Sequence, residues 1–85
     1  MKVYVNWQTE EIISQAHYYR LIAATATEYE ADDSLLDDYL EDRYTSLELF
    51  NMPEEERTEV RSDFAEWCYN SAKNALVEDF EEYEF

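Results

Sequence analysis

The sequence predicts an α+β fold: an N-terminal β-hairpin, with room for a third strand at the C-terminus, packed against two to three helices of which the last is longest. Three observations carry this. Apolar residues alternate with period two at the start of the chain, and recur every three to four positions through the middle. Capping residues sit where the pattern changes. The final residues return to alternation.

The hairpin is expected at roughly residues 2–13. Val3 and Val5 alternate with Tyr4 and Asn6, and Trp7 follows. Gln8 to Glu10 is a polar turn, and Glu11-Ile12-Ile13 reads as a second short strand. Ser14 is a good N-cap for a helix from about Gln15 to Glu30. Ala16, Tyr19, Ala23 and Ala26 share one of its faces; Tyr18, Ile22, Thr25 and Tyr29 share the neighbouring one. Asp32 or Asp33 can cap a second helix over residues 33–43, with Leu35, Leu36, Tyr39 and Leu40 as its buried stripe. Thr45 or Ser46 then caps a short turn whose Leu47, Leu49 and Phe50 are expected to plug the core.

Asn51-Met52-Pro53-Glu54-Glu55-Glu56 is the clearest start signal: a capping residue, a proline in the first turn, and carboxylates against the helix dipole. The helix it opens should run to about Asp79. Val60, Phe64, Trp67, Cys68, Ser71, Ala72, Ala75 and Leu76 form its apolar stripe. Phe80 to Phe85 alternates enough for a third strand against the hairpin. Glycine is absent, so any turn needing positive φ is expected to use Asn or Asp.

With 85 residues the chain suits a single acidic domain, residues 1–85. A domain of this size buries about 60% of its unfolded surface, so its core must be efficient. Eight Tyr, four Phe and two Trp supply that core. Twenty-two acidic residues against six basic ones give a formal net charge of −16. Self-repulsion at this density opposes folding, which argues that the charge is kept for a reason. A halophilic origin would spread it evenly, whereas here it falls in blocks beside many aromatics.

The opening MKVYVNWQTEE turns polar at once, as expected of a chain without a secretory leader. No apolar run approaches the ~20 residues of a membrane span. The single Cys68 cannot form an internal disulfide, so a reducing cytoplasm is expected. Anionic membranes and nucleic acids would repel the chain; a basic protein is its natural complement.

Catalysis is not expected. Useful carboxylate pairs need a buried member with a raised pKa, and no carboxylate falls on an apolar stripe. The lone His17 has no nucleophile pattern around it, and Cys68 lies beside Trp67 on an apolar stripe, where a buried thiol is inert. No cofactor or dedicated metal site is expected: no EF-hand loop matches, and zinc would need several His or Cys.

The charge blocks are the informative signal. Glu28, Glu30, Asp32, Asp33, Asp37, Asp38, Glu41 and Asp42 form one with no base among them. Glu54, Glu55, Glu56, Glu59, Asp63 and Glu66 form a second, relieved by Arg57 and Arg61; Glu78, Asp79, Glu81, Glu82 and Glu84 form a third. Like charges three or four apart on a helix repel, and Asp37/Glu41, Asp38/Asp42, Glu55/Glu59, Glu59/Asp63 and Asp63/Glu66 all have that spacing. Solubility alone would place lysines among them. Carboxylates one turn apart sit ~5–6 Å from each other, so such a row imitates a row of DNA phosphates in sign and roughly in spacing.

The segments YVN, EEIIS, DDSLLDDYLEDRY and LELFNMPEEERTEVRSDFAEWC resemble short proteins encoded by phages and mobile elements of Gram-positive bacteria, among them DNA-mimicking anti-restriction and anti-CRISPR inhibitors. The resemblance lies in length, acidity, helices and missing glycine. It implies a phage-encoded inhibitor acting in the bacterial cytoplasm. Its partner would be a host defence enzyme, a Cas9-type nuclease first, whose basic channel an acidic helix would block.

The expected contact residues are Glu30, Asp32, Asp33, Asp37, Asp38, Glu41 and Asp42, then Glu55, Glu56, Glu59, Asp63 and Glu66. A homodimer that lengthens the acidic row is compatible with this reading. Two alternatives stay open. One is a non-catalytic phage adaptor or regulatory module that holds a basic surface through aromatic anchors such as Tyr44, Tyr69 and Tyr83; the other is a carboxylate-rich Ca²⁺ binder.

Overall fold

A computed structural model describes residues 1–84. The fold is α+β. Strands β1 (Lys2–Asn6) and β2 (Glu11–Ser14) form the hairpin; helices α1 (Gln15–Glu30), α2 (Asp33–Arg43), α3 (Ser46–Phe50) and α4 (Glu54–Asp79) follow; β3 (Glu81–Glu84) closes the chain. The sheet order is β2-β1-β3, with both pairings antiparallel. The third strand is therefore present, and the last helix is the longest. Phe85, included in the expected strand, lies outside the described residues.

Most boundaries follow from local chemistry. Ser14 Oγ accepts from the His17 N–H and starts α1. Asp32 Oδ1 accepts from the Ser34 and Leu35 N–H groups and starts α2. Thr45 and Glu48 close a reciprocal capping box on α3, at 3.2 Å in each direction. One boundary differs from expectation: Asn51 ends α3, and Pro53 is the N-cap of α4 with no side-chain cap. Proline has no N–H to leave unsatisfied, and Glu54, Glu55 and Glu56 oppose the helix dipole directly.

The hairpin turn also departs from expectation. The positive φ falls on Glu10, at 60°, rather than on Asn or Asp. Asn6 acts instead as the organiser, its Oδ1 accepting from the Gln8 and Thr9 N–H groups.

Two apolar clusters share α4. Tyr4 and Ile13 from the sheet meet Tyr18, Ile22 and Ala26 of α1 and Ala72 of α4. Further along, Tyr39 of α2 meets Val60, Phe64 and Cys68. Tyr29 packs against both clusters and joins them. On α1 the face with Tyr18, Ile22 and Ala26 is buried, while Ala16, Tyr19 and Ala23 face out. The expected core plug at α3 is corrected: Leu47 and Phe50 are 71% and 80% exposed. One turn of helix can seat a single side, and Leu49 takes it, beside Leu36, Leu40 and Met52.

The layout is elongated, 53 × 22 × 16 Å. Pairing of β3 with β1 fixes the sheet at the C-terminal end of α4. No helix among the described residues is long and apolar enough to cross a membrane.

Candidate functional site

All twelve carboxylates singled out in the sequence are exposed. Among the described residues no polar or charged side chain is buried. Glu30 ends α1 and Asp32 caps α2. Asp33, Asp37 and Glu41 follow one another at one-turn intervals along α2, with Asp38 and Asp42 on the adjacent line. Glu55, Glu59, Asp63 and Glu66 fall on one side of α4, with Glu56 beside them. At 1.5 Å per residue, this second row extends for about 16 Å.

The tertiary structure gathers parts of both rows into grooves. Asp38, Glu41 and Asp42 line a cleft with Arg43 and Trp67, beside the cluster in which Tyr39 of α2 meets α4. Glu56, Glu59 and Asp63 line a second groove, of about 300 Å³, with Tyr44 and Glu48. Glu48 was not among the expected contact residues. Its place three residues after Thr45 was legible as a capping-box acid, but nothing local showed that α3 folds back beside α4.

The rows approach each other around Tyr39. Burial pushes the Tyr39 phenol above its ordinary value; Arg43 pulls it down and Asp63 pushes it up. Asp63 of the α4 row precedes Phe64, whose ring centroid lies 5.1 Å from that of Tyr39 on α2. The Arg43 guanidinium lies 3.9 Å over the Tyr39 ring and donates to the Tyr39 carbonyl. Arg57 donates to the Leu49 carbonyl. Among the described residues no ion pair joins either row to a Lys or Arg side chain.

The third acidic block behaves differently. Glu82 lies 3.0 Å from Lys2 Nζ across the β1–β3 pair, and this contact raises the Lys2 pKa. Glu81 accepts from Trp7 Nε1 at 2.8 Å. This block is partly drawn into the sheet.

Asp32 Oδ1 is already committed to capping. Burial pushes up the Cys68 thiol, which is fully enclosed, with Glu30 adding to the shift. No group of three or more His, Cys, Asp or Glu among the described residues could hold a metal ion. What the site can do is present negative charge in rows with aromatic side chains between them.

No family model, curated protein or solved structure matches this chain.

Proposed function

We propose that this chain is a non-catalytic DNA-mimic inhibitor that occupies the nucleic-acid site of a basic host defence protein, with a Cas9-type nuclease the first candidate. One observation carries the reading: ten exposed carboxylates stand in rows along α2 and α4, with Glu30 and Asp32 at the junction before α2, and no Lys or Arg is paired to any of the twelve among the described residues. A surface built to grip phosphates meets the same sign of charge at a comparable spacing. The resemblance to short acidic inhibitors of phages supports the same reading, and with it a site of action in the cytoplasm of a bacterial host.

The mechanism needs no chemistry. Charge steers association at long range, and the acidic rows then exclude DNA by occupancy. Arginines that read a PAM and basic channels that hold a heteroduplex are the groups such rows would engage.

The test is binding to a purified Cas9–guide complex at rising salt, with and without target DNA. Affinity should fall steeply with salt, because the Debye length shrinks from about 10 Å at 0.1 M to ~3 Å at 1 M. Target DNA should compete. Asp37→Lys with Asp38→Lys should weaken binding at least tenfold while the fold persists. Salt-independent binding that tolerates target DNA would remove the mimicry mechanism.

A further inference from the structure

The sheet has two faces, and the helices cover one of them. Tyr4 and Ile13 are the paired residues that meet α1. The residues between them in register, Val5 with Ile12 and Val3 with Tyr83, lie on the other face. There Val5, Ile12, Tyr83 and Trp7 line a groove of about 500 Å³ with Glu10 at its rim. Ile12 is 70% exposed and Trp7 64%. Trp7 meets the Tyr83 ring edge-on, at 6.2 Å between centroids. The indole is held by its bond to Glu81 rather than left free.

A second groove begins on the other side of Trp7. Glu78, Asp79 and Glu81 line it, together with Val77 and Phe80. Trp7 therefore lines both an apolar groove and a neighbouring one that carries three carboxylates. These are residues of the third acidic block, which the rows on α2 and α4 do not use.

We propose that these two adjoining grooves form a docking surface for a basic protein segment in which an aliphatic or aromatic side chain lies next to Lys or Arg. The inference rests on the reading that the partner is a basic protein, and it adds an apolar anchor to that contact. The apolar side chain fills the groove of Val5, Ile12 and Tyr83. The neighbouring cation lies over Glu78, Asp79 and Glu81, with the Trp7 face within its reach.

Charge complementarity selects this occupant over a second copy. Two copies would each bring a formal net charge of −16 to one contact. Area points the same way. Three strands ~4.8 Å apart and about four residues long give a face of roughly 200 Å². Two such faces together reach only about 400 Å², against the ~1,200 Å² at the lower end of specific interfaces. The sheet face thus works as the apolar centre of a contact whose remaining area is acidic.

The test is an NMR titration of the uniformly ¹⁵N-labelled protein with two synthetic peptides. One carries Leu-Phe flanked by Lys and Arg; in the other Ser-Ser replaces Leu-Phe. The Leu-Phe peptide should shift the Trp7 indole resonance and the amides of Val5, Ile12, Glu81 and Tyr83, and should bind about tenfold or more tightly than its control. Ile12→Ser, at an exposed position, should keep the spectrum of a folded protein and remove that gain.

Equal binding of both peptides, with shifts spread along α2 and α4, would overturn the proposal. So would movement of the same sheet amides on raising the protein concentration without peptide, which would mark a second copy as the occupant. Competition between target DNA and the chain on a Cas9–guide complex reports separately on the helical rows, so either idea can fail alone.

Discussion

Tyr4 and Tyr18 stack almost face to face, their ring centroids 3.8 Å apart and their planes 6° from parallel. The pair joins the sheet to α1, and it places two phenols where ionisation is unwelcome. Burial is the main cause that raises both pKa values, helped by Glu82 at Tyr4 and by Tyr4 itself at Tyr18. Tyr39 is raised chiefly by burial as well. In the unfolded chain these phenols titrate near 10. Their contribution to stability is fully present below that pH and is lost as pH rises through the higher folded values. Urea midpoints should therefore hold steady approaching pH 9 and fall above about pH 10, more in the wild type than in a Tyr4→Phe, Tyr18→Phe variant. An equal fall in both proteins would show that this pair carries no such linkage. Glu10 was the residue least legible from sequence. Nothing in its side chain favours a left-handed backbone, and Asn6 closes the turn from outside it.

At the scale of the element, caps decided most boundaries and were readable before any packing was known. Asp32 is the clearest case, with two N–H groups on one carboxylate oxygen. Asp32→Ala should cost about 0.5–2 kcal/mol. Asp37→Asn on the same helix should stay within ~0.5 kcal/mol or stabilise, since it relieves repulsion with Glu41 one turn away. Urea unfolding of the two variants checks the contrast, and equal losses would mean that α2 is not held by its cap. Faces were harder to read than boundaries. Period two shows that a strand has two sides without showing which side meets a helix. Both sides of β1 are apolar, and Tyr4 rather than the valines turned inward toward α1. Likewise the apolar residues of α3 promised a core plug. A helix of five residues can seat only one side, so Leu47 and Phe50 remain outside.

The whole molecule is a rod 53 Å long carrying a formal net charge of −16. Its acidic rows lie along α2 and α4, and its sheet lies at one end. Self-repulsion between the rows is part of the cost of folding, and salt screens it. Melting temperature should therefore rise with NaCl between 20 and 500 mM. For a domain of this size, each 1 kcal/mol of relief corresponds to about 4–8 °C. A melting temperature that falls with NaCl would mean that attractive pairs, not repulsion, dominate the surface. The same salt should weaken partner binding, so stability and affinity should move in opposite directions.

The sequence by itself determined the elements, the caps and the acidic rows, because caps, helical period and one-turn charge spacing act between residues a few positions apart. The tertiary structure decided what lies beside what. Glu48 joined the second acidic groove when α3 folded against α4. Trp7 and Glu81, separated by 74 positions, met because β3 pairs with β1. That pairing also set Tyr83 across from Val3 on the face the helices leave open. Strand register over such a distance is fixed by packing of the entire core, which no local pattern encodes.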